Sequence, residues 1–516
     1  MPQKEASLPT YSPEEEKRII RNADGVPVGI RPDNRWTPAR IATWAIITAL
    51  GVLGWWMLAI VRGEHVNTIW FVVTAVCTYA IGYRFYALYI QRRIMRPDDT
   101  NATPAERINN GRDFDPTHRV VLYGHHFAAI AGAGPLVGPV LAAQMGYLPG
   151  TLWIIIGVLV AGAVQDMLVL FFSMRRGGRS LGQMATDEIG RIGGIVATIV
   201  VFVMLMIVLA VLAMVCVNAL AASPWGVFSV GMTIPIAIGM GLWLRFVQPG
   251  KITQVSFVGF GLLIAVIIGG RWVAESSFGH YLHLSPKTLV WAMIIYGFLA
   301  AVLPVWVLLT PRDYLSTFMK VGTITILALG IIIVRPLVEM SAVTEFAFNT
   351  AGPVFAGTLF PFLFITIACG ALSGMHAMVS SGTSPKMVEK ETQVRMIGYG
   401  GMLMESFVAI MALAAAVSLS PGIYFSMNTS TATMNKLAGP ETVAAAPCKT
   451  TDDPEHHCEK LAEVAVGNLG VTDAQGRKPT PEWDSWDDNG NPKTYTGAEA
   501  LERLASDVGE PNVVSR

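Results

Sequence analysis

Apolar stretches of roughly 20 residues, the length a helix needs to cross a bilayer, recur along this chain between short polar or charged segments. They begin near Ile41, Val66, Arg119, Gly150, Ile195, Gly226, Ile252, Lys287, Asp313, Pro353 and Val394, and predict about eleven transmembrane helices in an all-α polytopic membrane protein. Residues 1–40 are polar and charged, without the apolar core and small-residue cleavage site of a removable signal. They are expected to form a cytoplasmic arm, with the first span as an uncleaved signal anchor. Residues 41–419 make the membrane domain, and residues 420–516, with no further apolar run, a polar tail.

Charge supplies the direction. With the N-terminus inside, the cytoplasmic loops are Arg92–His118, Met174–Arg191, Arg245–Lys251, Thr310–Arg312 and Ser380–Gln393. These and the arm carry most of the basic residues, whereas the opposite loops hold mainly Arg62, Arg271 and Arg335. That asymmetry follows the positive-inside rule and puts the tail outside. Composition agrees: 52% of the 516 residues are hydrophobic, 14% are charged, and the mean hydropathy is +0.48. Soluble domains carry about 25% charged residues, so a single soluble enzyme domain is excluded. The net charge of zero says little, because the charges sit between spans. The lipid bilayer is the one partner that composition names; no nucleic acid and no cofactor is expected.

The third span does not read as a helix made only to cross lipid. Its segment Gly124-His125-His126-Phe127-Ala128-Ala129-Ile130-Ala131-Gly132-Ala133-Gly134-Pro135-Leu136-Val137-Gly138-Pro139 holds four glycines, two prolines and two adjacent histidines. Proline removes a backbone donor and clashes with the preceding turn, and glycine weakens the helix further. Backbone broken at membrane depth survives only inside protein or beside a water-filled cavity, so a solute or ion site is expected around Gly132, Gly134 and Pro135. His125 and His126 are neighbours about 100° apart on a helix, too divergent to share one metal ion. Either one faces the cavity as a proton carrier, or both bond to carbonyls or water at the cytoplasmic interface.

Other polar residues inside spans are candidates for the same pathway. Gln165 and Asp166 lie about two turns from the cytoplasmic end of the fourth span; Asp166 is either functional or paired with Arg175 or Arg176. Glu405 lies deeper, with no basic neighbour on its own helix, and is favoured as a coupling carboxylate. Lys320 is expected to snorkel or to partner an anion. The tenth span ends in a run holding Ser373, His376, Ser380, Ser381 and Thr383. Its small residues allow close helix packing, and its hydroxyls offer ligands to a small cation or donors to a carboxylate. After the broken third span and the break in the tenth, Pro304 in the eighth span suggests a third irregularity, five helices after the third span and antiparallel to it, as an inverted repeat requires.

Of five cysteines, Cys77, Cys216 and Cys369 fall within spans, while Cys448 and Cys458 fall in the tail and are expected to close a small disulfide loop. His456-His457-Cys458 with Cys448 offers a metal site only as a rival reading. Asp484, Asp487, Asp488, Asn489 and Asn491 lack the spacing of a calcium loop and predict a turn-rich surface. No metal site is assigned. Nothing has the spacing of a nucleophile and its base, so the chain is not expected to be an enzyme.

Several motifs together resemble the carbon starvation protein A (CstA) family. They are Asn110-Gly111-Arg112-Asp113-Phe114, the Gly124–Pro135 segment, and Gln144-Met145-Gly146-Tyr147-Leu148-Pro149-Gly150. Gly162-Ala163-Val164-Gln165-Asp166, Pro311-Arg312-Asp313-Tyr314-Leu315-Ser316, Ser373-Gly374-Met375-His376-Ala377 and Ser380-Ser381-Gly382-Thr383 extend the likeness, which covers residues 35–430. The resemblance implies a multi-pass inner-membrane secondary transporter induced when carbon is scarce, carrying peptides or, with protons, pyruvate. It also implies kinship with amino acid–polyamine–organocation carriers, with the third span as the first core helix and the eighth and tenth spans as its sixth and eighth. Family members continue past Asp507-Val508-Gly509-Glu510 into further spans. The carrier core is therefore expected to be incomplete, the chain being a truncated product or half of a split protein whose missing spans another chain supplies. Alone it is expected to support little uptake.

The expectation is thus a proton- or cation-coupled carrier of a small carboxylate such as pyruvate. Short peptides are the alternative substrate, and a channel or a nutrient sensor the alternative class.

Overall fold

The structure is a computed structural model. It describes residues 19–21, 27–30, 36–61, 66–221, 223–247, 252–445, 457–469, 479–487 and 491–508. The chain divides into two compact units, Met1–Ala49 and Leu50–Arg516. In the first, strands Ile19–Arg21 and Pro27–Ile30 pair antiparallel, and the opening turns of the first long helix follow.

The apolar runs become helices because lipid offers no partner to a free N–H or C=O, and a helix satisfies its own. Among the described residues, eight are long and apolar enough to span: Pro38–Val61 (α1), Ile69–Met95 (α2), Tyr147–Arg175 (α5), Leu181–Ala221 (α6), Pro224–Val247 (α7), Ile252–Glu275 (α8), Leu309–Val334 (α10) and Glu391–Val417 (α13). Arg119–Ile130 (α3) and Gly134–Met145 (α4) make a ninth crossing, bent by 45°. The other two of the eleven predicted spans are not continuous long helices. Pro286–Val302 (α9) has 17 residues. The segment from Leu359 to Ser380 is cut into pieces, the last two being Ala368–Ala371 (α11) and Gly374–Ser380 (α12).

Pro304 therefore does not interrupt a span as expected. A residue preceding proline is pushed out of the helical region; Leu303 sits at φ −69°, ψ 149° and α9 ends there. The second broken span is the one holding Ser373 and His376.

Burial ranks the helices. Much of α13 is enclosed, with Gly401, Glu405, Ser406, Ile410 and Leu413 buried, and α3, α4, α5 and α10 pack around it. By contrast Ile199, Phe202, Met206 and Leu209 of α6 are exposed, as an apolar lipid-facing surface would be. The 41-residue α6 kinks at Gly190, whose φ of 85° suits glycine alone.

The described residues after 420 are folded. Helices Pro421–Asn428 (α14), Thr431–Ala438 (α15), Pro440–Ala445 (α16), His457–Gly467 (α17) and Gly497–Val508 (α18) join a hairpin of Glu482–Trp486 and Pro492–Thr496. Ile423, Met434, Leu461, Leu501 and Leu504 form a small core there. Tyr424 Oη ties this region to α4, donating to Val140 O at 2.7 Å and Leu141 O at 3.0 Å. Instead of the expected turn-rich surface, Asp484 belongs to a strand, and Asp487 Oδ1 accepts from Asn491 N at 2.8 Å. The Ser485 hydroxyl and Trp483 indole N–H hold the Asp507 carboxyl below the ordinary range. Asp488, Asn489, Cys448 and His456 lie outside the described residues. Cys458 is disulfide-bonded.

Candidate functional site

The break in the third span has a local cause. Proline clashes with the carbonyl four residues earlier; for Pro135 that carbonyl belongs to Ala131, which leaves helical geometry at φ −79°, ψ 69°. Pro135 itself sits in the first turn of α4, where its missing donor is harmless. The carbonyls freed at the end of α3 need donors, and Lys320 of α10 supplies them: its Nζ donates to Ala128 O at 2.8 Å and to Ala131 O at 2.6 Å. An ammonium at a helix C-terminus also complements the helix dipole. Lys320 thus neither snorkels nor waits for an anion; it caps a broken helix. Lys320→Met is expected to lower stability by about 1–3 kcal/mol, the cost of orphaned buried acceptors, measured as thermal unfolding of the purified protein.

A second break lies opposite. Leu372 (φ −158°, ψ 101°) and Ser373 (φ −111°, ψ 128°) are extended between α11 and α12. Gln165 Nε2 of α5 donates to Ser373 O at 2.7 Å. Glycines let the second broken span pack closely: a side chain at Gly134 of the first broken span would strike Cys369 Sγ and one at Gly138 the Thr366 carbonyl, while one at Gly162 of α5 would strike the Ala371 carbonyl. At Gly132 an added Cβ meets nothing within 4 Å, so the first break borders open space.

Between these segments sits a cluster with no exposed charge. Asp166, His376 and Glu405 are each 0% exposed. His376 Nδ1 lies 3.2 Å from Asp166 Oδ2, and its Nε2 lies 3.1 Å from Glu405 Oε2. Cys369 Sγ is 3.3 Å from Glu405 Oε1 and 3.7 Å from His376 Nε2. Met402 Sδ is 3.1 Å from His376 Nδ1. One imidazole therefore stands between two carboxylates brought in by α5 and α13. Asp166 does not pair with Arg175 or Arg176: those bind Glu391 and Glu188 respectively.

The remaining candidates are spread more widely. His125 Nδ1 lies 2.9 Å from Asp313 Oδ2, whereas His126 Nδ1 meets Ser384 Oγ at 2.8 Å. Both histidines are buried and face different partners, as adjacent helical positions require. Ser381 Oγ donates back to Ala377 O at 2.8 Å. Ser380 Oγ is buried without a hydrogen-bond partner among the described residues, and Thr383 lies in the turn after α12. Cys369 is the residue that the sequence reading left out. Seven positions from His376, it would stand about 10 Å along a continuous helix; only the break folds it back.

The model of the family described as carbon starvation protein CstA matches residues 67–479. The chain is 51% identical over 499 residues to a peptide transporter CstA of Mycobacterium tuberculosis, a match covering 95% of this chain and 64% of that one. It is 50% identical over 474 residues to a peptide transporter CstA of Escherichia coli, covering 92% and 62%. It is 48% identical over 477 residues to the pyruvate/proton symporter BtsT of Escherichia coli, covering 92% and 63%. The chain thus matches a little under two thirds of the length of these relatives. No solved structure matches it.

Proposed function

Because this chain belongs to the carbon starvation protein CstA family, we propose that it serves proton-coupled movement of a small carboxylate across the cell's inner membrane, pyruvate first. The observation that carries the reading is the meeting of two broken spans around Asp166, His376 and Glu405, next to open space at Gly132. Broken helices enclosed by protein are how carriers place a solute site at mid-membrane. Buried ionisable groups at that depth are costly and mark ion or substrate paths. The printed name of one relative, a pyruvate/proton symporter, supports pyruvate as the substrate and the proton as the coupling ion. In this reading the N-terminal arm lies inside, residues 420–516 lie outside, and the two broken spans line one cavity of an inverted-repeat core.

A second reading, uptake of short peptides, is favoured by the names of the other relatives. A peptide also ends in a carboxylate, so the same site serves either. Counterflow in proteoliposomes separates them, using labelled pyruvate against di- and tripeptides and the chain extended to the length of its relatives. Pyruvate exchange is expected, with Asp166→Asn and Glu405→Gln each lowering proton-driven uptake at least about tenfold. Exchange of peptides alone moves the assignment to the second reading. Exchange of neither, or unaltered proton dependence in both variants, overturns the site.

A further inference from the structure

Cys369, His376 and Glu405 form more than a polar cluster: from their geometry we infer a binding site for a borderline-soft divalent metal ion such as Zn²⁺. The three residues present a sulfur, a ring nitrogen and carboxylate oxygens within 4.8 Å of one another. Zinc–ligand bonds of about 2.0–2.3 Å in a tetrahedron place neighbouring ligand atoms roughly 3.3–3.6 Å apart. The observed separations are 3.7 Å (Sγ to Nε2), 3.3 Å (Sγ to Oε1) and 3.1 Å (Nε2 to Oε2). The sulfur and the ring nitrogen each approach a different oxygen of the Glu405 carboxylate near that spacing, and with one oxygen taken the three ligand atoms lie within 4.8 Å of one another. Three protein ligands leave a fourth position for water or a carboxylate, as in open zinc sites.

Two further observations point to a ligand. Glu405 Oε2 is buried and has no hydrogen-bond partner among the described residues; its approach to His376 has the distance of a contact without the alignment of a hydrogen bond. On the far side of the imidazole, Asp166 Oδ2 stands 3.2 Å from Nδ1. A carboxylate near the second nitrogen is where the outer partner of a metal-bound histidine usually stands; Asp166 Oδ2, like Glu405 Oε2, is buried without a hydrogen-bond partner among the described residues. Charge fits as well. A thiolate and a carboxylate neutralise a divalent ion, so the loaded inner shell carries no net charge into a buried place where charge is costly. The mixed sulfur, nitrogen and oxygen set selects Zn²⁺ or Co²⁺ over Mg²⁺ or Ca²⁺. On binding, the Sγ–H bond of Cys369 breaks, its proton leaves to the medium, and an Sγ–metal bond forms. The loaded site joins the second broken span to α13, with Asp166 of α5 steadying the imidazole.

Metal binding is measured independently of transport. The full chain is purified metal-free in detergent and titrated with Co²⁺. One near-ultraviolet thiolate-to-cobalt charge-transfer band per chain is expected, displaced by Zn²⁺. Cys369→Ser should remove the band and Cys216→Ser should leave it. Asp166→Asn should weaken Co²⁺ binding by about 10–100-fold with the band retained, as loss of an outer partner does. In the unaltered protein, Zn²⁺ should slow maleimide labelling of Cys369, located by peptide mass, and leave that of Cys216 unchanged. A chain that gives no band and no protection overturns the inference, and so does a band that survives in Cys369→Ser.

Discussion

Replacing His376 with leucine destabilises the protein by about 3–5 kcal/mol, the penalty for removing one partner from a buried charge cluster. The reason is geometric. Asp166 and Glu405 reach the same imidazole from α5 and α13, and all three side chains are 0% exposed. Without the ring the two carboxylates are left in a dry interior without their shared partner. The compensated control is the triple variant Asp166→Val, His376→Leu, Glu405→Met, which removes the charges together with the ring. Replacing a whole buried ionic group by apolar residues of similar volume is often neutral or stabilising, so the triple variant should unfold well above His376→Leu. Thermal unfolding of detergent-purified protein, followed by fluorescence-detected size exclusion, gives the comparison. A triple variant less stable than the single one would mean that His376 acts by packing and not by charge.

The second large effect falls on a single methyl group. Gly162→Ala is expected to cost about 2–3 kcal/mol, within the range for overpacking a filled interior. The added Cβ would overlap the Ala371 carbonyl oxygen, and a main-chain atom cannot turn aside as a long side chain does. One turn or so earlier in α5, a Cβ at Gly157 would already press on Ala371 Cβ at 3.2 Å. The strand-like stretch after Ala371 depends on this approach, because Gln165 three residues on from Gly162 holds Ser373 O. Gly132→Ala is the matched control. Its Cβ meets nothing within 4 Å, so stability should change by less than about 0.5 kcal/mol, as at sites away from packing. Equal melting shifts in the two variants would refute the close approach of α5 to the second broken span.

Much of the architecture could be read along the chain because lipid imposes a length. An apolar run either satisfies its backbone as a helix or does not cross, and eight of the predicted spans follow that rule without interruption. The break at Ala131 was legible too, since Pro135 acts on a carbonyl only four residues away. Pro304 was misread for a related reason. Proline marks a boundary in either case, and only the neighbouring turns decide whether a helix resumes beyond it. In the hydroxyl-rich tenth span the sequence placed a break somewhere in the run from Thr366 to Ser384, and the structure locates it at Leu372 and Ser373.

Partners were the part that sequence could not supply. Asp166 and Glu405 stood out singly because an acid in a span is costly, yet nothing local indicated that both meet His376. Lys320 could be placed near a helix end, but its acceptors, Ala128 O and Ala131 O, belong to a segment about 190 residues earlier in the chain. Sequence by itself determined the spans, the first break, the buried acids and the family, each set by rules acting over a few residues or by a long motif match. Tertiary structure decided at which residues the tenth span breaks, what Lys320 caps, and that Cys369 joins His376 and Glu405. Those facts depend on which glycine-thinned faces touch, and such contacts join residues far apart in sequence.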